Sequence, residues 1–149
     1  VRLAPLGIDD SIGARKSRES PKEGPVLYVG RFSDVKGTDT FIEALKYAGS
    51  ELGDVRVVGG LPHNKKREER WINRLKEAAP NRLECLGWLD DESLSRCYAE
   101  ATMLVVPSRI ETYGLVALEG LLHGVPVLAS GCAAFRDCNR GAVVRMNDM

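Results

Sequence analysis

At 149 residues, with 44% hydrophobic and 28% charged side chains, the chain has the size and composition of one soluble globular domain. Lysine plus arginine and aspartate plus glutamate both number 21, so the formal net charge is zero and no overall field favours nucleic acid or an anionic membrane as a partner. No apolar run approaches the roughly 20 residues that cross a bilayer, and the N-terminus lacks a signal-peptide pattern, so we expect a cytoplasmic protein.

The N-terminal part of the chain is predicted to be a connection rather than a part of the fold. From Asp9 to Gly24 the sequence DDSIGARKSRESPKEG is charged and poor in apolar residues, which is typical of a surface linker. We therefore divide the chain into an interdomain segment with a polar linker at 1–24 and one α/β domain at 25–149.

Strand-like runs recur through that domain. Each is short, continuously apolar and closed by Gly, Pro or Ser, as expected of buried strands. There are five of them: VLYVG from Val26, VRVVG from Val55, RLECLG from Arg82, MLVVP from Met103 and PVLAS from Pro126. A later run, GAVVRM from Gly141, is a candidate sixth strand.

Helical patterns lie between the strand-like runs, at 38–48, 65–79, 91–101 and 113–123. Asp90 or Asp91 is a natural N-cap, and Gly49 and Gly124 are natural stops. The alternation predicts right-handed βαβ units, and hence an α/β fold with a doubly wound, Rossmann-like parallel sheet of about six strands. Ligands of such folds bind outside the carboxyl ends of the strands, so the loops after the strands are the candidate site.

The loop after the first strand reads GRFSDVKG. Gly30 permits a sharp turn, Arg31 and Lys36 supply cations, and Gly37 leaves the N-terminus of the next helix open. Two cations beside unpaired helix N–H groups favour a phosphate ligand. A solvated loop with two surface cations is the alternative.

The loops after the second and third strands carry weaker signals. Gly59 and Gly60 permit close approach of a ligand, although an ordinary tight turn explains them equally well. Trp71 and Trp88 are each able to stack on a ring, but packing is the commoner role of tryptophan. The run Lys65 to Glu69 is most simply a solvated helix face.

Cysteine and histidine residues predict no metal site and no disulfide framework. The cysteines show no CxxC spacing, and the histidines are far apart. These residues are Cys85, Cys97, Cys132, Cys138, His63 and His123.

Two glutamates flank the start of the fourth helix. Glu119 is the only charge in GLVALEGLL, whose apolar residues predict a helix nearly surrounded by protein. A carboxylate there needs a partner or a polar cavity. Glu111 lies two residues before the predicted helix start at Tyr113, where unpaired N–H groups favour an anion. A first-turn carboxylate at Glu111 and a core salt bridge at Glu119 remain the alternative.

These motifs together resemble a known family. GRFSDVKG, followed by LGWLDDESLSRCYAEATMLVVPSRIETYGLVALEGLLHGVPVLAS, is similar to the donor-binding, C-terminal domain of retaining glycosyltransferases with the GT-B fold, specifically family four. PLGID near the N-terminus resembles the segment at which that family's chain enters this domain. The resemblance covers almost the whole chain from Pro5, and its paired G-R-x4-K-G and E-x7-E elements are quite specific.

The resemblance implies roles for the charged residues. Arg31 and Lys36 match the pair that holds the donor diphosphate and neutralises the charge on the leaving group. Glu119 matches the carboxylate that accepts the ribose hydroxyls. Glu111 matches the one beside the transferred sugar, so Glu111, Arg31 and Lys36 form the implied catalytic set.

The resemblance also implies contacts from backbone and apolar groups. The N–H groups of four residues at the fourth helix match the turn that cradles the distal phosphate: Tyr113, Gly114, Leu115 and Val116. Trp88 and Leu89 fall where the family's loop lies along the nucleobase, and Gly59 and Gly60, with Gly30 across from them, match turns near the donor.

The chain departs from the family's pattern in two places. The loop after PVLAS reads Ala133, Ala134, Phe135, Arg136 and Asp137 where members commonly have Gly-Gly followed two residues later by a carboxylate. The chain also stops at Met149 and has no N-terminal acceptor domain, so the domain is expected to be truncated at its C-terminal helices.

The sequence therefore predicts a donor-binding domain for a UDP-, GDP- or ADP-sugar in a hexosyltransferase that needs no metal. Its expected partner is the acceptor domain of the same enzyme, through which alone a peripheral membrane contact would arise, and the isolated chain is expected to be inactive. The alternatives are a GT-B epimerase or phosphorylase relative, or a non-catalytic α/β nucleotide-binding module.

Overall fold

A computed structural model describes residues 23–131 and the backbone of one further strand at 143–146. The strands are β1 (Val26–Val29), β2 (Val55–Val58), β3 (Leu83–Gly87), β4 (Met103–Val106), β5 (Val127–Ser130) and β6 (Val143–Met146). The helices are α1 (Thr38–Ala48), α2 (Lys65–Ala78), α3 (Asp91–Glu100) and α4 (Leu115–Leu122), and a 3-10 turn at Gly49–Leu52 follows α1.

The six strands form one parallel sheet in the order β3-β2-β1-β4-β5-β6. This confirms the predicted doubly wound α/β fold. From β1 the chain builds outward to β3, then crosses back to β4 on the other side of β1. The chain therefore changes direction between the neighbouring strands β1 and β4, and in such folds the ligand crevice lies at this point of the carboxyl edge.

Helices cover the sheet on both faces because successive strand residues point to opposite sides. Tyr28 and Val57 pack under α1 and α2, whose apolar stripes supply Phe41, Leu45 and Leu75. The opposite core contains the following residues from the sheet, α3 and α4: Leu27, Val58, Leu104, Cys97, Tyr98 and Ala117.

Most predicted boundaries are confirmed, because the local chemistry at the helix ends is strong. The side chain of Asp90 accepts a hydrogen bond of 2.8 Å from Ser93 N and so caps α3. Gly49 ends α1 at the predicted residue. β3 is less buried than predicted, since it is an edge strand and Glu84 points to solvent.

Two expectations about α4 are wrong. The helix begins at Leu115 instead of Tyr113, because Gly114 has a φ of 66° and a left-handed residue cannot lie inside a right-handed helix. Its surface is also less enclosed than predicted, since Leu115 is 49% exposed and only Ala117 and Gly120 are fully buried. A helix of eight residues buries one stripe, and the other residues of α4 stay partly or largely exposed.

A groove of about 740 Å³ lies beside α1, on the sheet face that α1 and α2 share. Apolar side chains of α1, β4 and β5 line it, among them Phe41, Val105 and Leu128. Within the described residues, no helix has the length and apolar character needed for a bilayer crossing. The predictions for Cys132, Cys138 and the loop at 133–137 lie outside the described residues, as does most of the segment at 1–24.

Candidate functional site

The loop between β1 and α1 is fixed from below by a buried phenol. Tyr28 is 1% exposed, and its hydroxyl lies 2.9 Å from Thr38 Oγ1, which also accepts Ser33 N at 2.9 Å. Burial raises the pKa of Tyr28 to about 12, so this phenol keeps its proton. Lys36 N donates to Ser33 Oγ at 3.2 Å. The backbone that presents Lys36 is thus anchored to the core.

The loops after β1 and β4 touch directly. Gly37, at the N-terminus of α1, has a φ of 66°, and a Cβ built on it would lie 1.9 Å from the carbonyl oxygen of Pro107. Two residues further, Arg109 N donates to Val35 O at 2.9 Å. No side chain larger than hydrogen fits at this crossing.

Arg109 clasps the same two loops through its side chain. Its guanidinium donates to both carboxylate oxygens of Asp39, at 2.6 and 2.8 Å, and to the carbonyl of Asp34. These bonds hold the pKa of the Asp39 carboxyl below its usual value. Sequence reasoning missed this pair, because 70 positions separate its members.

This clasp brings Lys36 and Glu111 together. Lys36 Nζ lies 2.6 Å from Glu111 Oε1, which also accepts Ser108 Oγ at 2.8 Å. Ser108 is 2% exposed, and Ser130 Oγ in turn donates to its carbonyl. Ser108 and Ser130 were also missed, although both directly follow or end strands of the predicted sheet, where site residues were expected.

Glu111 keeps one oxygen open. Among the described residues Oε2 has no hydrogen-bond partner, and no side-chain polar atom there is both buried and unsatisfied. Oε2 is therefore accessible to solvent and free to accept a hydroxyl.

Glu119 is arranged in the same way. Its Oε2 accepts the Tyr98 hydroxyl at 2.8 Å, and its Oε1 has no partner in the described part of the chain, so that this oxygen too is open. The alternative of a core salt bridge at Glu119 is wrong for the described residues, because the partner is a neutral phenol. Burial and the adjacent carboxylate raise the pKa of Tyr98.

Four backbone N–H groups at the start of α4 have no acceptor in residues 23–131 or the strand at 143–146. They belong to Tyr113, Gly114, Leu115 and Val116, the four predicted as a phosphate cradle. Ala117 N and Leu118 N, by contrast, both donate to Gly114 O. The open donors and the positive end of the helix dipole favour an anion at this point.

Beyond the strands, the loops after β1, β2 and β3 remain hydrogen-bonded to one another. Gly30 N donates to Val58 O at 3.0 Å, Phe32 N to Gly60 O at 2.9 Å, and Gly59 N to Gly87 O at 2.7 Å. A Cβ built on Gly59 would lie 2.2 Å from Gly30 O. Gly30, Gly59 and Gly60 thus form one continuous wall of backbone.

The two tryptophans differ. Trp71 is 6% exposed in the core under α2, which confirms packing as its role. Trp88 is 59% exposed, and its Nε1 would lie 3.5 Å from a Cβ on Gly60. Leu89, next to Trp88, is half-buried. Trp88 therefore presents an open aromatic face beside the glycine wall.

Arg31 is exposed at the mouth of the crevice. Within the described residues its side chain has no hydrogen bond or ion pair, so the structure does not join it to Lys36 and its phosphate role stays a prediction. No three His, Cys, Asp or Glu side chains in that part of the chain are grouped as metal ligands. The arrangement offers two cations, open N–H donors and two oriented carboxylate oxygens along one edge.

Comparison with known proteins identifies the family of this chain. A sequence model of the family described as "Glycosyl transferases group 1" matches residues 23–148. The chain is 31% identical over 175 aligned positions to a D-inositol 3-phosphate glycosyltransferase from Acidothermus cellulolyticus, covering 99% of this chain and 38% of that protein.

Solved structures agree with the sequence match. The sucrose-phosphate synthase from Thermosynechococcus elongatus superposes with a TM-score of 0.76 and 30% identity, over 99% of this chain and 40% of that one. An Anabaena protein, HepE, solved in complex with UDP-glucose, has a TM-score of 0.70 at 21% identity, over 83% of this chain and 35% of that one.

The fold and the matches define the class of this domain: a doubly wound α/β domain of the kind found in glycosyltransferases. The chain belongs to the glycosyl transferases group 1 family. It spans about two fifths of the length of the relatives compared here.

Proposed function

We propose that this chain is the donor-binding half of a retaining glycosyltransferase and binds a nucleoside diphosphate sugar at the carboxyl edge of its sheet. The observation that carries the proposal is the pair of glutamates, each with one oxygen held by the protein and one open, on either side of four unpaired helix N–H groups. The open carboxylate oxygens can accept hydrogen bonds from sugar hydroxyls, and the unpaired N–H groups can donate hydrogen bonds to a phosphate.

The order of groups along the carboxyl edge supports a ligand with a base, a ribose, a diphosphate and a sugar. Trp88 follows β3 and would lie along the nucleobase, while the glycine wall follows β2 and β1. Glu119 would accept ribose hydroxyls from α4. Lys36, Arg31 and the N–H groups at the start of α4 would hold the diphosphate, and Glu111 would contact the sugar.

The chemistry proposed for this ligand is substitution with retention and without a metal. The bond between the sugar's anomeric carbon and the diphosphate oxygen breaks, the acceptor oxygen bonds to that carbon on the same face, and the acceptor's proton passes to the departing diphosphate. The protein contributes positioning and charge: Lys36 and Arg31 stabilise the negative charge that grows on the leaving group.

A second domain would complete the site. Five of the six large exposed hydrophobic side chains in the described residues lie in the loops at the carboxyl edge or in the first turn of α4: Val35, Trp88, Ile110, Tyr113 and Leu115. Such a concentration is typical of a surface that faces a ligand or another domain. We propose that the rest of the protein supplies an acceptor domain on this side and that the present chain alone transfers no sugar.

Calorimetric titration of the 149-residue chain with UDP, GDP, ADP and their glucose conjugates tests the proposal. We expect at least one nucleotide to bind below millimolar concentration. Arg31→Ala and Glu119→Gln should each weaken that binding by about 1–3 kcal/mol, since each removes a charged contact. No binding of any nucleotide at millimolar concentration would contradict the proposal.

Two surface variants serve as matched controls. Arg70→Ala removes an exposed cation on α2, and Glu43→Gln alters an exposed carboxylate whose partner is Lys46 on α1. Both should bind as the unaltered chain does. Equal losses in the control and site variants would place the binding elsewhere.

A further inference from the structure

Glu119, which we propose binds the ribose of the donor, is hydrogen-bonded to a buried tyrosine. Tyr98 on α3 and Glu119 on α4 are joined by a hydrogen bond of 2.8 Å to Oε2. A carboxylate oxygen only accepts, so the phenol donates. The raised pKa of Tyr98 means that this donor is present throughout the physiological range.

Tyr98 cannot turn away from this bond. It is 1% exposed, and its ring is stacked on the ring of His123, with centroids 5.0 Å apart and an interplanar angle of 27°. His123 is fixed in turn: Nδ1 lies 2.8 Å from Glu119 O, and Nε2 lies 2.9 Å from Ser95 Oγ. A carbonyl also only accepts, so Nδ1 donates a hydrogen bond to Glu119 O, and both ring nitrogens are engaged.

We infer that Tyr98 is a positioning residue for nucleoside recognition: by occupying Oε2, it orients the Glu119 carboxylate so that Oε1 meets the hydroxyls of a ribose. The inference rests on the proposed function, because it gives a role to the residue behind Glu119 in that donor site. It concerns only the ribose, since in the described residues neither the Tyr98 nor the His123 side chain has a hydrogen bond or a ring contact with the loops that carry Lys36 and Glu111.

Loss of the Tyr98 hydroxyl should weaken the binding of some ligands and not of others. Without the phenol hydroxyl, Glu119 is free to rotate about its terminal bonds, and a ligand must then order it on binding. A ligand that lacks ribose hydroxyls makes no use of Glu119 and is spared this cost. Loss of the Tyr98 hydroxyl should therefore weaken the binding of ligands that carry ribose hydroxyls and leave the binding of the others unchanged. General loosening of the fold would weaken the binding of all of them.

Tyr98→Phe tests this, because it keeps the ring and its stacking on His123. The tightest-binding of UDP, GDP and ADP is compared by calorimetry with its 2′,3′-dideoxy counterpart and with inorganic pyrophosphate. The variant should bind the ribonucleotide roughly tenfold more weakly, the loss expected for one hydrogen bond to a charged group. It should bind the dideoxynucleotide and pyrophosphate as the unaltered chain does.

Tyr28→Phe is the matched control, since it removes another buried phenol hydroxyl, but one beneath the loop of Lys36. It should weaken the ribonucleotide, the dideoxynucleotide and pyrophosphate by a common factor. Urea unfolding checks that both variants fold. Should Tyr98→Phe not fold, Ser95→Ala loosens His123 and should give a smaller effect in the same direction.

The outcomes are distinct. An unaltered preference of Tyr98→Phe for ribose over dideoxyribose, or an equal loss for all three ligands, overturns the inference while leaving the donor site intact. Failure of the unaltered chain to bind any ribonucleotide overturns the proposed function, and the inference falls with it.

Discussion

Lys36 and Glu111 form an enclosed ion pair from two residues 75 positions apart. Their side chains are 26% and 10% exposed, far less than those of the surface pair Lys46 and Glu43, at 51% and 65%. Solvent screens an enclosed pair less, so the attraction between its charges is greater. The pair thus helps to set the distance between the β1–α1 loop and the β4–α4 loop.

A double-mutant cycle measures that attraction. Lys36→Met and Glu111→Gln, alone and combined, should give a coupling of about 1–2 kcal/mol in the free energy of urea unfolding. The same cycle at Lys46 and Glu43 should give at most about 0.5 kcal/mol, because exposed pairs contribute little. Equal coupling energies in the two cycles would contradict our reading of the enclosed pair.

The Asp39–Arg109 clasp predicts a pH dependence. Since the pKa of Asp39 is lowered in the folded chain, the pair stabilises the fold above the ordinary aspartate pKa of about 3.9, and this contribution is lost as the pH falls through the lower native value. Asp39→Asn should cost at most about 1 kcal/mol at pH 7, because solvent screens the pair.

Urea unfolding between pH 7 and pH 2 is the measurement. The stability difference between the unaltered chain and Asp39→Asn should shrink as the solution becomes acidic. Arg109→Gln removes the same clasp and should show the same trend. A difference that is constant with pH would mean that the clasp does not act through the carboxylate charge.

At the scale of single residues, the sequence singled out the charged residues of the candidate site but not the partners that orient their side chains. Glu111, Glu119 and Lys36 stand out by charge type and by their place in the strand and helix pattern. Their partners Tyr98 and Ser108 carry no such signal, because a tyrosine in a helix and a serine after a strand are ordinary. Only the folded distances pair Tyr98 with Glu119, 21 positions later.

Among the elements, the junction of α1 with the β4–α4 loop allows the least change. Gly37 meets the backbone of Pro107 there, so a methyl group would collide with backbone rather than with a flexible side chain. A shift of Pro107 would also move Ser108, which follows it directly, and Glu111, four positions further on.

Gly37→Ala should therefore cost more than its backbone angle alone explains. Gly87→Ala is the matched control, because Gly87 has a φ of 68° and open space around it, against 66° at Gly37. The control should cost about 1–2 kcal/mol for the left-handed angle, and Gly37→Ala about 1–3 kcal/mol more for the overlap. Urea unfolding of both variants gives the comparison; equal costs would show that the junction relaxes easily.

Helix positions followed from local pattern wherever a cap or a stop was clear. α1 has the predicted bounds, and α3 begins after the predicted cap at Asp90. α4 was the exception, because its start depends on a left-handed backbone angle at Gly114 that an apolar pattern does not encode. Its partial exposure was missed for a related reason: apolar residues that stay exposed are indistinguishable in sequence from core residues.

Across the whole molecule, the two sheet faces are covered unequally in the described residues. α3 and α4 cover one core, while beside α1 the other face keeps the groove of about 740 Å³. An apolar groove of this size has room for a small hydrophobic molecule.

The dye 8-anilinonaphthalene-1-sulfonate should bind the native chain at this groove. Ala44→Glu places a charge on the exposed side of α1 that lines it and should weaken the binding, since a carboxylate repels the dye's sulfonate and wets the apolar surface. Asn73→Glu adds the same charge at an exposed position of α2, away from the groove, and should not. Fluorescence titration decides, and equal dye affinity in both variants would place the dye elsewhere.

The hydrogen bonds that continue past the ends of β1, β2 and β3 predict two classes of backbone amide at the candidate site, which differ in their rate of hydrogen exchange. The N–H groups of Gly30, Phe32 and Gly59 have carbonyl partners and should exchange with deuterium as slowly as those of the strands. Those of Tyr113 through Val116 have none within the described residues and should exchange fast. A bound phosphate would slow the exchange of the second group alone. Deuterium uptake at the start of α4 therefore reports whether a phosphate is bound there, and the slow amides of Gly30, Phe32 and Gly59 serve as the internal reference.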